Sequence, residues 1–149
     1  RIVYTYNAIL KRIVDGDTLD AYIDLGFDVS VTKRIRLMFI DTAESRTKFL
    51  EEKELGIAAK HRLYEIIDEN DGEFIIKSHG VGKYGRVLGE LFITESDDRS
   101  INDTLVMEGF AVPYDGGSKM EMDEKWDMLQ RNRKMFLESR IESIESPLE

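Results

Sequence analysis

Cysteine is absent from this chain of 149 residues, and proline and histidine occur only twice each. Without cysteine there are no disulfides, thiolate metal sites or cysteine nucleophiles, and the redox compartment stays open. His61 and His79 lack the partner at i+3 or i+4 that helical zinc sites use, so we interpret both as bystanders. A metal site in this protein would have to be built from oxygen ligands.

Long hydrophobic runs are also missing. No apolar stretch approaches the roughly 20 residues that cross a bilayer, and the first ten residues alternate between apolar and polar instead of forming a signal core. We therefore expect no membrane partner, and both a secreted and an intracellular location remain open. We expect a monomer with one domain at residues 1–138, followed by an acidic tail or helix extension at 139–149.

Positive charge is in deficit, with a formal net charge of −9. This counts against a nucleic-acid partner, because phosphate binding normally leaves a basic footprint. The acidity is uneven, however: residues 1–93 hold 14 Lys/Arg against 16 Asp/Glu, whereas residues 94–149 hold 7 against 14. The first part of the chain is therefore close to neutral and remains compatible with a polyanionic ligand.

Alternating apolar residues between glycine-containing breaks predict five short strands. The third is expected to carry Val29 and Phe39 on its apolar face and to end at Asp41. The first two form a hairpin. The predicted strands cover residues 4–14, 18–26, 29–41, 72–78 and 86–93.

Near-helical spacing of apolar residues predicts three helices. They cover residues 57–70, 101–109 and 120–138. Ser100 is in position to cap the second helix, and the charged, aperiodic segment 45–54 is predicted to be a mobile surface loop. This order of elements is typical of an α+β, mainly β fold: a five-stranded β-barrel of the oligonucleotide-binding (OB) type with three helices.

Two aspartates are candidates for a metal site. Asp15-Gly16-Asp17 is a common hairpin turn, so a purely structural role for Asp17 remains open. Asp41 directly follows an apolar strand, where a carboxylate is less easily explained as a turn residue than Asp17 is. Two carboxylates at neighbouring strand ends, with a backbone carbonyl and water, would suit Ca²⁺, which accepts 6 to 8 oxygen ligands in flexible geometry.

Two arginines and two tyrosines are further candidates. Arg36 interrupts an apolar strand and Arg86 follows a glycine turn, so each either pairs with a surface carboxylate or binds an anion. Two converging guanidinium groups suit the charge that develops on phosphoryl oxygens. Tyr84 and Tyr114 lie in irregular, glycine-rich segments where a ring could flank a bound base.

Taken in order, four motifs resemble the staphylococcal nuclease (thermonuclease) family. They are VDGDT at 14–18, RLMFIDTAE at 36–44, KYGR at 83–86 and INDTLVMEGFA at 101–111. The family has a five-stranded OB-fold barrel with three helices and uses Ca²⁺ to hydrolyse DNA and RNA. The resemblance implies that the carboxylates of Asp17 and Asp41 and the backbone carbonyl of Thr42 ligate the metal, and that Glu44 is the general base or orients the attacking water.

The same resemblance implies roles in substrate binding. Arg36 and Arg86 would hold the scissile phosphate and stabilise the transition state. Lys83 and Tyr84 match positions that contact a terminal phosphate. Tyr114 falls in the segment that supplies the tyrosines of the base pocket, where the spacing shifts and one of two tyrosines is missing.

The chain departs from the family pattern at two places near the site. Ala43 stands where the family usually has proline, which predicts a looser turn at Glu44, and Gly82 replaces an acidic residue before KYGR. Neither change removes a catalytic side chain, so the sequence favours an active nuclease whose binding is sensitive to salt. The alternatives are an inactive nucleic-acid or protein binding module on the same barrel, or a structural acidic domain with ion-paired arginines.

Overall fold

Residues 3–145 are described by the structure, a computed structural model. Over this range the chain forms seven strands and three helices. The strands are β1 (Tyr4–Asp15), β2 (Thr18–Gly26), β3 (Val29–Leu37), β4 (Ile40–Thr42), β5 (Glu73–Val81), β6 (Val87–Phe92) and β7 (Ala111–Pro113). The helices are α1 (Leu50–Asp68), α2 (Ile101–Met107) and α3 (Met122–Glu145).

Five strands close into a barrel in the order β1-β2-β3-β6-β5. All neighbours are antiparallel except β3 and β6, which run parallel. Inward side chains of the barrel and of α1 fill a continuous core; its fully buried members include Leu19, Ile35, Leu63, Phe74 and Leu91. The predicted α+β fold, a five-stranded OB-type barrel with three helices, is confirmed.

The third strand is shorter than the sequence predicted. β3 ends at Leu37, because the backbone reaches a φ of 69° at Phe39, and this left-handed conformation interrupts an extended strand. Phe39 is half exposed instead of facing the core. Residues 40–42 then form β4, which pairs with β7 in a separate two-stranded sheet. Asp41 therefore lies in this second sheet, beside the barrel.

The helix boundaries also differ from those predicted. α1 begins at Leu50, so the last part of the predicted loop 45–54 is helical, and the acidic residues of its first turn suit the positive end of the helix dipole. α3 continues without a break to Glu145, so residues 139–145 form the helix extension that was one of the two alternatives for this segment, and residues 146–149 lie outside the described part. Within residues 3–145, none of the helices combines the length and apolarity needed to cross a membrane.

Glu108, at the end of α2, connects all three helices. Its carboxylate accepts hydrogen bonds from Arg62 of α1, at 2.7 Å from Nε and 3.1 Å from Nη2, and this contact raises the pKa of Arg62. Its backbone carbonyl accepts a hydrogen bond from Nη1 of Arg133 in α3 at 2.8 Å. This network fixes α3 relative to the barrel, which matters because α3 reaches into the candidate site.

Asp20 makes the stability of the barrel surface sensitive to acid. Hydrogen bonds from Arg34, helped by Arg12, lower the pKa of Asp20 from 3.8 to about 2. A carboxylate with a depressed pKa in the folded state stabilises the fold above pH 3.8, and this contribution is lost as pH falls toward 2. We expect Asp20→Asn to reduce the free energy of unfolding at pH 7 by about 1 kcal/mol, since both arginines are partly exposed and solvent screens the pair.

Urea unfolding of the wild type and of Asp20→Asn at a series of pH values measures this effect. The difference between the two proteins should be constant above pH 5 and should shrink between pH 4 and pH 2. The exposed Asp127→Asn is the matched control. A difference in the free energy of unfolding that does not change with pH would contradict the lowered pKa of Asp20.

Candidate active site

Asp17 and Asp41 converge on one guanidinium group. Nη2 of Arg36 lies 3.4 Å from Oδ2 of Asp17 and 3.6 Å from Oδ1 of Asp41. All three residues are buried. Asp17 is held further by its neighbours, because its Oδ2 accepts a hydrogen bond from the backbone N–H of Thr42 at 3.1 Å and its Oδ1 accepts one from the hydroxyl of Thr18 at 3.0 Å. The turn between β1 and β2 and the second sheet therefore meet at Arg36.

The turn before Asp17 is shaped by packing as well as by hairpin geometry. A Cβ added at Gly16 would lie 2.6 Å from Cβ of Ala59 in α1 and 3.0 Å from side-chain atoms of Thr42. Only glycine lets the turn, the helix and β4 come this close. The hairpin interpretation of Asp15-Gly16-Asp17 is therefore incomplete, since the turn also sets the distance between Asp17 and the second sheet.

The backbone beside Glu44 is fixed at several points. Asp15 Oδ1 accepts hydrogen bonds from both the hydroxyl and the backbone N–H of Ser45, and Glu52 Oε1 accepts one from the N–H of Glu44 at 3.4 Å. Gly56 of α1 packs against the same segment, where an added Cβ would lie 2.5 Å from the carbonyl of Glu44. These contacts supply the restriction that a proline at position 43 would otherwise give.

The side chain of Glu44 itself is exposed and its carboxylate has no hydrogen bond or ion pair within residues 3–145. It follows Asp41 by three residues, on the segment that leaves the second sheet. A free, exposed carboxylate on a fixed backbone beside a buried charged cluster is suited to meeting a water molecule or a ligand.

Arg86 projects on the same side of the barrel as Arg36. In the parallel pairing of β3 and β6, Arg36 stands opposite Leu88, and Arg86 precedes Leu88 by two residues in extended backbone. Residues that pair, and residues two apart, share one face of a sheet, and the inner face here is taken by Ile35 and Leu37. Nε of Arg86 is buried without a hydrogen-bond partner. An unpaired, partly buried guanidinium is a site for an anion.

The remaining predicted binding residues lie in two segments, one before Arg86 and one after β7. Lys83 and Tyr84 lie in a short 3-10 turn before Arg86, both exposed, and Tyr84 adopts a φ of 65°. Tyr114 follows β7, donates its backbone N–H to the carbonyl of Phe39 at 2.8 Å, and donates its hydroxyl to the carbonyl of Gly117 at 2.7 Å. Tyr114 therefore borders the second sheet directly.

Two lysines that sequence reasoning missed reach Asp41. Nζ of Lys125 in α3 lies 3.0 Å from Oδ2 of Asp41, and Nζ of Lys119 lies 3.4 Å from Oδ1. Lys119 also lies 6.0 Å from the ring centre of Tyr114. The sequence contained one signal for Lys125, which directly precedes Trp126 in a helix whose inward side includes Leu129. A lysine at that position is near the buried side of the helix.

The oxygen atoms at this site fit a hard divalent cation. Oδ2 of Asp41, in the cluster, is buried without a hydrogen-bond partner, whereas the equally unpaired Oγ1 of Thr42 lies against the Gly16 turn. Within the described residues, no group of three or more acidic, histidine or cysteine side chains is arranged to hold a metal. Ligation would therefore combine the carboxylates of Asp17 and Asp41 with the carbonyl of Thr42 and water, a donor set that Ca²⁺ accepts.

Two comparisons with known proteins give relatives of this chain. The profile of the family described as staphylococcal nuclease homologue matches residues 34–135. A curated relative named Protein ParB, from Escherichia coli, is 30% identical over 110 residues, which is 69% of this chain and 54% of that protein. The chain thus spans about half the length of this relative.

Proposed function

We propose, because this chain belongs to the staphylococcal nuclease homologue family, that it hydrolyses the phosphodiester bonds of DNA or RNA with the help of Ca²⁺. Its fold is that of nucleases and nucleic-acid-binding proteins. The observation that carries the proposal is the convergence of Asp17 and Asp41 on Arg36, with the unpaired Arg86 on the same face of the barrel. This arrangement would supply oxygen ligands for a cation and guanidinium donors for a phosphate on one face of the barrel.

The proposed metal ligands are Asp17, Asp41 and the carbonyl of Thr42. When bound, Ca²⁺ would supply positive charge to a phosphoryl oxygen and make the phosphorus more electrophilic. Glu44 would accept the proton of the attacking water, or hold that water in line with the leaving oxygen. Its fixed backbone and free carboxylate support this role, because positioning within about 1 Å can change a rate on the order of a hundredfold.

Arg36 and Arg86 would bind the equatorial oxygens of the phosphate and stabilise the charge that grows on them in the transition state. The two differ in their partners: Arg36 is already held by two carboxylates and by the carbonyl of Leu37, whereas Nε of Arg86 has none. Arg86 is thus the more available donor. Lys83 and Tyr84 would contact a further phosphate and Tyr114 a base.

A metal-independent binding module is the second candidate function. The observation that favours it is the pairing of Asp41 with Lys119 and Lys125. Together with Arg36, these lysines place three cationic side chains on Asp41 without any metal. Such a cluster would attract phosphate by itself.

A single cleavage assay separates these candidates. Single-stranded DNA, duplex DNA and RNA are incubated with the protein in excess Ca²⁺, and acid-soluble nucleotides are measured with and without EDTA. We expect release that requires Ca²⁺, and we expect Glu44→Gln to slow it by about a hundredfold or more. The exposed Glu51→Gln is the matched control and should retain the wild-type rate.

Binding of an oligonucleotide without cleavage in excess Ca²⁺ would favour the binding module instead. Unchanged hydrolysis by Glu44→Gln would remove Glu44 from the proposed mechanism while leaving the nuclease activity itself intact.

A further inference from the structure

Asp41 is contacted by more cations than one carboxylate can neutralise. Lys125 approaches Oδ2 at 3.0 Å, while Lys119 at 3.4 Å and Arg36 at 3.6 Å approach Oδ1. Asp17, which shares Arg36, is the other carboxylate of the cluster. Three cationic side chains therefore already occupy the carboxylate that is the proposed metal ligand.

Lys125 is unlike the exposed Lys134 of the same helix, because only 11% of the Lys125 side chain is exposed. Its neighbours are mostly apolar and line a small cavity; they are Ala43, Glu52, Leu55, Met122, Trp126 and Leu129. Burying an ammonium group is unfavourable unless it is paired. Within residues 3–145, Asp41 is the carboxylate within ion-pair distance of Lys125. The pair therefore holds the ammonium group on Asp41.

The contact has the distance of an ion pair but not the direction of a hydrogen bond. Oδ2 of Asp41 accepts no hydrogen bond although Nζ of Lys125 is 3.0 Å away. The ammonium group thus lies next to the oxygen atom that a divalent cation would have to reach. Ca²⁺ binds carboxylate oxygens at about 2.3–2.6 Å, and two cations that close to one oxygen repel each other strongly.

We propose that Lys125 is a tethered competitor of the divalent cation and thereby sets the metal affinity of the site. In the metal-free protein its ammonium group holds Asp41. When a divalent cation binds, the group leaves Oδ2, and the free energy of the broken ion pair is subtracted from the affinity. Lys119 competes in the same way but more weakly, since 54% of its side chain is exposed and water can replace its partner. The inference rests on the proposed function only in taking Asp41 as a metal ligand.

Calcium binding to the purified protein tests this directly, without substrate. Isothermal titration with CaCl₂ is compared for the wild type and for Lys125→Met, which keeps the length of the side chain and removes its charge. We expect Lys125→Met to bind Ca²⁺ about tenfold more tightly or better. Lys119→Met should gain about twofold to threefold, and the exposed Lys134→Met on the same helix should equal the wild type.

Circular dichroism shows whether Lys125→Met folds. If it does not, a second neutral variant, Lys125→Gln, is used for the same titration. Calcium should also raise the melting temperature of either neutral variant more than that of the wild type. Equal or weaker calcium binding by the neutral variants overturns the inference, and so does the absence of calcium binding in every variant. Tighter calcium binding without any cleavage would support it while contradicting the proposed nuclease activity.

Discussion

Arg86→Lys is expected to lower the rate of calcium-dependent cleavage by about a hundredfold to a thousandfold, the usual effect of removing one donor that stabilises transition-state charge. The guanidinium of Arg86 has a buried Nε without a partner, so it is free to bind phosphate. Lysine keeps the charge but presents a point donor in place of a planar fork. Single-turnover cleavage, with saturating enzyme in excess over the substrate, measures this effect on the chemical step.

Stability should change little in the same variant, because Arg86 makes no side-chain hydrogen bond or ion pair within residues 3–145. Arg99→Lys, at an exposed position in the loop after β6, is the matched control and should cleave at the wild-type rate. Oligonucleotide affinity separates the possible outcomes. A loss confined to binding would mean that Arg86 holds the substrate but does not stabilise the transition state.

Asn102→Ala is expected to have the largest effect on stability, about 3 kcal/mol. The Asn102 side chain accepts a hydrogen bond from the N–H of Leu91 at 3.0 Å and donates to the carbonyls of Met38 at 2.8 Å and Gly89 at 3.1 Å. It is 1% exposed. Alanine leaves these three backbone groups with fewer partners in a buried place, and each unsatisfied group costs about 1 kcal/mol or more. Urea unfolding followed by the fluorescence of Trp126 measures the loss.

The position of Asn102 makes this loss relevant to the site. Met38 lies in the crossing between β3, which carries Arg36, and β4, which carries Asp41. Asn102 thus ties this crossing to α2. Asn7→Ala, at an exposed position in β1, is the control and should change stability by less than about 0.5 kcal/mol. If Asn102→Ala and Asn7→Ala lowered the free energy of unfolding by the same amount, the hydrogen bonds of Asn102 would contribute little to stability.

Much of the fold could be predicted because the local signals agree with the tertiary structure. Period-two alternation indicated the barrel strands, and Ser100 does cap α2, where its hydroxyl accepts a hydrogen bond from the N–H of Asp103 at 3.0 Å. The prediction was wrong at residues 38–42, where β3 was expected to continue to Asp41. The reason is a contact with a segment far away in the sequence. Phe39 belongs to an apolar run, yet pairing of β4 with β7 bends the chain out of the barrel there. A strand of three residues gives no periodic signal.

The candidate site was predicted less completely. The carboxylates, the arginines and Glu44 were predicted from their motifs, and both the residues and their roles stay predictions. The contacts that position them were not found: Asp15 with Ser45, Glu52 with the N–H of Glu44, and α1 against Gly16. Each joins segments that the sequence separates, and nothing in either segment alone signals the other.

The sequence by itself determined which chemistry is available. Without cysteine, and with histidines in no metal-binding pattern, it restricted the site to oxygen ligands and guanidinium donors, and its alternation determined the barrel. Only the tertiary structure decided which of these charged groups lie next to one another. It brings Lys119 and Lys125 from the acidic C-terminal part onto Asp41, because α3 packs Leu129 against Ala43 and Val112 beside the second sheet. Packing of an apolar helix face therefore determines which charges surround Asp41. Neither the net charge nor the motif spacing of the sequence predicts this.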